Sequence, residues 1–522
     1  MASEGGPPTT GEGGAIGAEE RRAIVAALDA GRLDEAEALC RPWLQQPDCL
    51  EALILMACIR SAQGQHDVAL ALFGDLAGMV PHRADIAYNH GSALRRAGRL
   101  AEAAEAWRRA LRLRPDLTAA RHNLAMTLKE LGDTAGAIEA FETLLELSPE
   151  SEAEALLQIG NLHYLSGDFP AATARYRALV TRYPGDVLGW TNLGQALKAE
   201  HKDDEAERSF RRAMATDPAF DLAAFDLSCL LLSHQRWAEG FALYERRKSR
   251  HKRPPQLADL PSWRGDEPIG TLVALWHDQG YGDAIQFVRF AAALIERGHC
   301  PVLLIAPPLR RLLATAPGIA EARGLEEPLP PFGAELALAS LPQRLGIAAA
   351  EALWPGPYLT APPAPPPALP AARLKVGLVW AGAGAYLKDA ARSLTLEHLA
   401  PLFELPDIAW LSLQMGPRAA DRDAAPWRGR IADATAGLDD FAATAVLVNQ
   451  LDLVITVDTA VAHLAGALGR PAWVLLRDDG DWRWGRDGET TPWYPTLRLF
   501  RQTTPGQWDE PVEALRDALK KL

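Results

Sequence analysis

Prolines punctuate the first half of the chain at a nearly fixed interval: Pro47, Pro81, Pro115, Pro149, Pro184 and Pro218, spaced by 34, 34, 34, 35 and 34 residues. Between them, small and apolar residues return in the same phase. Ahead of Pro115 stand Gly91, Ala103, Trp107 and Ala110, and ahead of Pro149 stand Ala125, Ala137, Phe141 and Leu144. Ahead of Pro184 stand Gly160, Ala172, Tyr176 and Leu179, and ahead of Pro218 stand Gly194, Ala206, Phe210 and Ala213. The pattern predicts two antiparallel helices per unit, with small residues where they cross. The proline ends the second helix because it lacks a backbone donor. A last unit, about 219–248, has no such proline and runs from Trp237 to Tyr244 and Arg247. It predicts a closing helix pair packed on the next domain.

From Thr271 the period changes. Short apolar runs at Thr271–Trp276, Pro301–Ala306, Lys375–Trp380, Ala409–Leu413, Leu453–Val457 and Ala472–Leu476 alternate with amphipathic stretches. Buried parallel strands alternating with helices are expected, an α/β pattern. The segment from Ala361 to Pro370 is proline-rich and predicts a semi-rigid linker. The expected organisation is a disordered start over 1–17, a helical solenoid of six to seven helix pairs over 18–250, and a connector over 251–267. Two α/β units come next, over 268–360 and 373–522, with the linker at 361–372 and a cleft between them.

Composition narrows the class. The 522 residues are 48% hydrophobic and 23% charged, an ordinary globular balance. A net charge of −13 with pI about 5.5 argues against a general nucleic-acid surface and predicts a cytoplasmic protein. The five cysteines form no CxxC or His-Cys cluster, so neither a disulfide framework nor a zinc site is expected. The first residues lack the apolar stretch of a signal peptide, and no run of 18 apolar residues predicts a membrane span.

Three segments carry candidate chemistry. Trp276 to Phe287 holds a glycine-containing turn in which Asp283 follows Gly282 and opens a helix expected over Ala284–Arg297. Asp283 either only caps that helix or acts as a general base on an acceptor hydroxyl. Trp380 to Ser393 holds Gly382, Gly384, Lys388 and Arg392, a turn that suits a diphosphate or is simply a basic loop. Asp458-Thr459-Ala460-Val461-Ala462-His463 lies between a buried strand and a short helix expected over Leu464–Gly469. The carboxyl end of a strand is where α/β sheets bind ligands, and a helix start offers free N–H groups to a phosphate. His463 there is either a structural residue or a donor to a phosphate or sugar oxygen. Gln286, Gln414, Trp482 and Arg483 are further candidates for sugar or base contacts. No DxD-type metal pair stands in a suitable loop, so no metal is expected.

With those residues in view, the first half resembles the tetratricopeptide repeat (TPR). The second half resembles heptosyltransferase-like glycosyltransferases (glycosyltransferase family 9-like) of the GT-B type, built of two Rossmann-like units. It is similar also to bacterial proteins that join TPR arrays to such a domain, flagellin glycosyltransferases among them. The matching positions are Gly282-Asp283, Gly382 to Arg392 with Ser393-Leu394, Ser412-Leu413-Gln414, Asp458 to His463, and Asp481-Trp482-Arg483-Trp484 through Arg501-Gln502. The resemblance implies an inverting, metal-independent transferase with Asp283 as base. Gly282, Gly382, Lys388, Arg392, Asp458, Thr459, Ala460 and His463 would hold a nucleotide-sugar co-substrate. The repeats would dock a protein acceptor, and Ser or Thr would receive the sugar. The chain departs from the pattern at Ala460, where heptosyltransferases usually carry glycine, and in a first α/β unit of about 90 residues. These departures keep two alternatives open: a non-catalytic TPR scaffold or chaperone, and a transferase acting on lipopolysaccharide-type glycans.

Overall fold

The computed structural model of the protein describes residues 16–46, 49–247, 252–365, 368–382, 389–424 and 426–522. Most of the expected disordered start, Pro47, part of the proline-rich linker and Lys388 lie outside these residues. The chain divides into two compact units, Met1–Glu200 and His201–Leu522. The repeat pattern runs some fifty residues past that division. The expected disorder over 1–17 does not extend to Ile16, which is buried in the core of the first helices.

The first unit is a solenoid of helix pairs: α1 (Ala18–Asp29) with α2 (Leu33–Cys40), α3 (Leu50–Ala62) with α4 (His66–Met79), and α5 (Ala84–Arg96) with α6 (Leu100–Leu113). Then come α7 (Thr118–Glu130) with α8 (Thr134–Leu147), α9 (Glu152–Leu165) with α10 (Phe169–Arg182), and the single α11 (Val187–Ala199). Each pair turns through a glycine at positive φ: Gly31, Gly64, Gly98, Gly132 and Gly167, at +71° to +80°. A left-handed residue there stops one helix and starts the next within a few residues. The aromatics of α6 and α10 lie over small residues of their partner helices. A Cβ on Gly91 would sit 2.6 Å from the Trp107 ring, and one on Gly160 would sit 2.5 Å from the Tyr176 ring. Trp107, Phe141 and Tyr176 are almost fully buried in consequence.

The second unit opens with α12 (Asp203–Thr216), α13 (Asp221–Ser233) and α14 (Trp237–Tyr244). Two parallel sheets come after them. The first holds β1 (Leu272–Trp276), β2 (Cys300–Leu304), β3 (Glu321–Arg323) and β4 (Ala334–Ala337) in the order β3-β2-β1-β4, with α15 (Tyr281–Phe287), α16 (Ala292–Glu296), α17 (Pro307–Leu313) and α18 (Leu341–Leu345) between or after them. The second holds β5 (Leu374–Val379), β6 (Ile408–Ser412), β7 (Ile431–Asp433), β8 (Leu453–Val457), β9 (Ala472–Leu476) and β10 (Leu497–Arg501) in the order β10-β9-β8-β5-β6-β7. Its helices are α19 (Asp389–Arg392), α20 (Leu396–Leu399), α21 (Phe441–Val448), α22 (Ala460–Ala467) and α23 (Asp509–Leu519). The order reverses between β1 and β4 in one sheet and between β5 and β8 in the other. Such reversal points open a crevice at the carboxyl ends of the strands.

All six expected strands are present, two with the expected bounds and four shifted by one or two residues. The four others have weak signatures. β3 and β7 are three residues long, β4 carries the buried Glu335, and β10 is an edge strand interrupted by Arg498 and Arg501. Glu335 is accommodated because its carboxylate receives the Trp276 indole N–H and the Ser262 hydroxyl at 2.6 and 2.5 Å. The expected helix over Ala284–Arg297 is broken into α15, a 3-10 turn at Val288–Phe290, and α16. Within the connector Trp263 is buried and its backbone N–H bonds the Glu335 carbonyl at 2.8 Å. One apolar core joins Leu232, Trp237, Phe241 and Tyr244 of the helices to Val273 and Leu275 of β1 and to Val454 and Val474 of β8 and β9. Among the described residues no helix is long and apolar enough to cross a membrane.

The packing distinguishes two glycines of the solenoid. Gly91→Ala forces a Cβ into the Trp107 indole and should lower stability by about 1–3 kcal/mol. Gly74→Ala, on an exposed face of α4 with open space around it, should raise stability by about 0.5–1 kcal/mol. Thermal unfolding followed by helical circular dichroism reads both signs.

Candidate functional site

The β1–α15 and β8–α22 turns meet in the second unit. Gly280 is the N-cap of α15, and Asp283 reaches back to accept the Gly280 N–H at 2.9 Å. On the other side, α22 begins at Ala460, four residues earlier than the sequence suggested, so His463 belongs to its first turn rather than to the loop before it. Small residues permit the earlier start by letting the helix approach the opposite turn. A Cβ on Gly282 would lie 2.7 Å from His463 Cδ2 and 3.5 Å from Ala460 Cα. Thr459 occupies the N-cap of α22 without capping it, because its hydroxyl pairs with Thr456 at 2.9 Å. The positive end of the helix therefore stands beside two carboxylates, Asp458 and Asp283.

Arg483 ties these turns together. It is buried, on the 3-10 turn Trp482–Trp484 that follows β9. Its guanidinium donates to one oxygen of Asp283, to Asp481 at 2.8 Å and to the Gln286 side-chain carbonyl, and it stacks 4.3 Å above the Trp482 ring. The Tyr244 hydroxyl, at the end of α14, completes the shell at 3.4 Å and also bonds Gln279. A second buried pair, Arg247 to Asp278 at 2.7 Å, holds α14 to the start of the same turn, and Arg247 also donates to Ser340.

These contacts set the protonation of the site. Burial pushes the Asp283 carboxyl above the ordinary range, and the adjacent Arg483 only partly opposes this. Burial and then the nearby Asp481 raise Asp458 to about 6, against the pull of Arg392. Burial also acts to raise Asp481, but the Arg483 guanidinium and backbone N–H prevail and hold it low. His463 is lowered to about 3 by burial and then by Arg483, so its ring is neutral near pH 7.

The remaining expected residues fall in three groups. Arg392 is at the site: it donates to the Asp458 carbonyl at 2.9 Å and to Asp389. Gly382 lies against both, since a Cβ there would be 1.8 Å from Asp389 Oδ1, and its N–H bonds the Ser393 hydroxyl at 3.1 Å. Gln286, Gln414 and Trp482, expected to touch sugar or base, are instead buried on internal partners. Gln414 accepts the N–H groups of Trp380 and Ala381, Gln286 accepts from Arg483, and Trp482 packs edge-on against Phe241, Tyr244 and Trp493. Lys388 lies outside the described residues. Sequence reasoning missed Tyr244, Arg247, Asp278 and Tyr494 as parts of this network. The missing proline after the last helix pair was a signal for the first two. Asp278 and Tyr494 stand within segments already singled out, Trp276–Phe287 and Asp481–Gln502, but nothing in the sequence marked these two residues themselves.

Comparison with known proteins supports the division. Residues 54–118 and 122–187 match the tetratricopeptide repeat family. Protein FlbA of Caulobacter vibrioides is 27% identical over 498 residues, covering 84% of this chain and 73% of FlbA. The first unit supplies only residues 1–200 of 522, so that likeness extends into the α/β region. Protein O-mannosyl-transferase TMTC3 of Homo sapiens is 28% identical over 189 residues, 35% of this chain and 20% of TMTC3. The crystal structure of YrrB, described as a TPR protein with an unusual peptide-binding site, is 20% identical with a TM-score of 0.30, covering 38% of this chain and 95% of YrrB. The N-terminal part is thus a TPR helical solenoid, followed by a parallel-stranded α/β region.

The protonation pattern has opposing consequences for stability. His463 is depressed from its ordinary 6.5 to about 3, so the folded state binds fewer protons and loses stability as pH falls below 6.5. Asp458 is raised from 3.8 to about 6, so the folded state binds more protons and gains stability as pH falls below 6. The two oppose each other between about pH 4 and 6. Asp458→Asn should therefore lose stability on acidification faster than the wild type, by up to ~1.4 kcal/mol per pH unit, and His463→Gln should do the reverse. Urea midpoints by tryptophan fluorescence test this, since eleven of the fifteen tryptophans lie after residue 262. Parallel pH curves for wild type and Asp458→Asn would refute it.

Breaking the second buried pair gives a separate check. Asp278→Ala leaves the buried Arg247 with Glu245, at 2.8 Å, as its remaining acid partner and should cost about 1–3 kcal/mol in the same urea experiment.

Proposed function

We propose that the chain is a protein O-glycosyltransferase that moves a sugar from a nucleotide-sugar donor to a Ser or Thr hydroxyl of a polypeptide docked on the TPR solenoid. The observation that carries this reading is the meeting of two strand-to-helix turns, each at the carboxyl end of a strand beside a reversal in sheet order. Two parallel sheets opposed there fit a GT-B arrangement with the ligand between them. The start of α22 and Arg392 supply donors and positive charge for the diphosphate leaving group. Asp283 takes the acceptor proton as the hydroxyl oxygen bonds to the anomeric carbon and the bond to the diphosphate breaks. Its raised carboxyl makes it a stronger base than an exposed aspartate. No metal or further cofactor enters this scheme. The likeness to a human O-mannosyl-transferase supports it.

A second reading, a binding scaffold without turnover, is favoured by one observation. Both Asp283 oxygens already accept a hydrogen bond, one from the Gly280 N–H and one from Arg483, which fits a carboxylate that serves the fold rather than a reaction.

Calorimetry with UDP, GDP, ADP and CMP, followed by transfer assays on co-expressed candidate acceptors including flagellin, separates the two. Under the transferase reading one nucleotide binds, Arg392→Ala weakens it by about 10–100-fold, and Asp283→Asn leaves binding intact while cutting transfer by about 10²–10⁴-fold. Undiminished transfer by Asp283→Asn removes the assigned base. Absence of both binding and transfer favours the scaffold.

A further inference from the structure

Behind the candidate site the hydrogen-bond protons can be assigned one by one. Arg289, on the 3-10 turn after α15, is buried. Its guanidinium donates to the carbonyls of Gln286, Leu353 and Trp493 and to the Tyr358 hydroxyl, the last at 2.8 Å. The rings of Tyr358 and Tyr494 lie 4.5 and 4.6 Å from it. Tyr358 has a single proton to give, and the Ile285 carbonyl stands 3.0 Å from its oxygen. The Tyr494 hydroxyl lies 3.4 Å from the Tyr358 hydroxyl but 3.0 Å from His463 Nδ1. With the Tyr358 proton committed to Ile285, Tyr494 has two possible acceptors. The nearer is the imidazole nitrogen, which is also the more basic. A neutral ring that accepts at Nδ1 carries its only proton on Nε2. That edge of His463 faces the opposite turn, where a Cβ on Gly282 would lie 3.3 Å from Nε2. Burial, together with the Arg483 and Arg289 cations, keeps the ring from taking a second proton.

We propose that Tyr494 is a positioning residue that fixes His463 as the Nε2–H tautomer, so that the ring offers a permanent neutral donor to an oxygen of the ligand held beside Gly282 and Asp283. The identity of that oxygen, on a diphosphate or a sugar, rests on the nucleotide-sugar reading of the site. The tautomer does not. Arg289 acts behind Tyr494 by donating into one lone pair of the Tyr358 oxygen, which leaves that oxygen the poorer acceptor and the Tyr494 proton to the nearer histidine nitrogen.

Histidine-selective 15N labelling of the full chain tests the assignment without any ligand. Two-bond proton–nitrogen correlation near neutral pH, with His463 identified by its loss in His463→Gln, should show Nδ1 bare and Nε2 protonated, unchanged down to about pH 5. A proton on Nδ1 in the wild type overturns the proposal. Tyr494→Phe keeps the ring packed against Gly466 and removes the hydroxyl, and should give averaged shifts from a mixture of tautomers. An unaltered Nε2–H form in that variant overturns the positioning role. Tyr358→Phe leaves the Tyr494–His463 contact in place and should keep the Nε2–H form. Its loss there would place the ordering group elsewhere and also overturn the proposal. The wild-type and Tyr358→Phe spectra decide even where Tyr494→Phe fails to fold. Because nucleotide calorimetry is a separate measurement, absence of nucleotide binding leaves the tautomer result standing.

Discussion

A buried guanidinium is tolerated only where its charge and its donors are met, and Arg483 imposes that requirement on much of the second unit. The groups that meet it come from distant parts of the chain: Asp283 and Gln286 from α15, Asp481 beside it, and Tyr244 from α14. Satisfying one cation therefore fixes the β1 turn, the segment after β9 and the last helix pair relative to one another. The Trp482 ring beneath the guanidinium and the edge-on rings of Phe241, Tyr244 and Trp493 bury it. In that burial each of these ionic contacts is stronger than at the surface, and each unmet partner would be more costly.

The helix pair α13–α14 continues the grammar of the repeats but belongs to the α/β unit by packing. Arg247, paired with Asp278 and Ser340, and Tyr244, bonded to Gln279, place the end of α14 directly behind the turn that carries Asp283. A repeat-like element has thus become a wall of the candidate site. The proline that ends the earlier second helices is absent here, and the chain instead continues into a buried arginine.

Charge and close approach work together at the opposite wall. Gly282 lets α15 and α22 come near enough for His463 to face the turn, and Ala460 keeps the first turn of α22 small. The same approach removes solvent from Asp283, Asp458 and His463, which drives the carboxyls up and the imidazole down. A neutral histidine, two carboxyls that hold protons more readily than usual, and an uncapped helix start are a consistent set. Together they gather carboxyls, an imidazole and helix N–H groups at the point where both sheets reverse their order.

The sequence by itself determined the features that depend on neighbours along the chain. The 34-residue phase of Gly91, Trp107 and Pro115 specified the helix pairs, and six apolar runs specified most strands, because periodic burial within about ten residues is a local property. It also located the turns at Gly282-Asp283 and Asp458–His463. It did not reveal β3 or β7, which are too short to carry a period, nor the early start of α22, which depends on room made by Gly282 nearly 180 residues away. The tertiary structure alone decided the partners: that Arg483 meets Asp283 across 200 residues, that Gln414 and Gln286 serve internal groups, and that Tyr494 faces His463. The physical reason is that a buried charge or hydrogen-bonding group is satisfied by whichever complementary group the fold brings within about 3 Å, and that choice is a property of three-dimensional packing rather than of spacing along the chain.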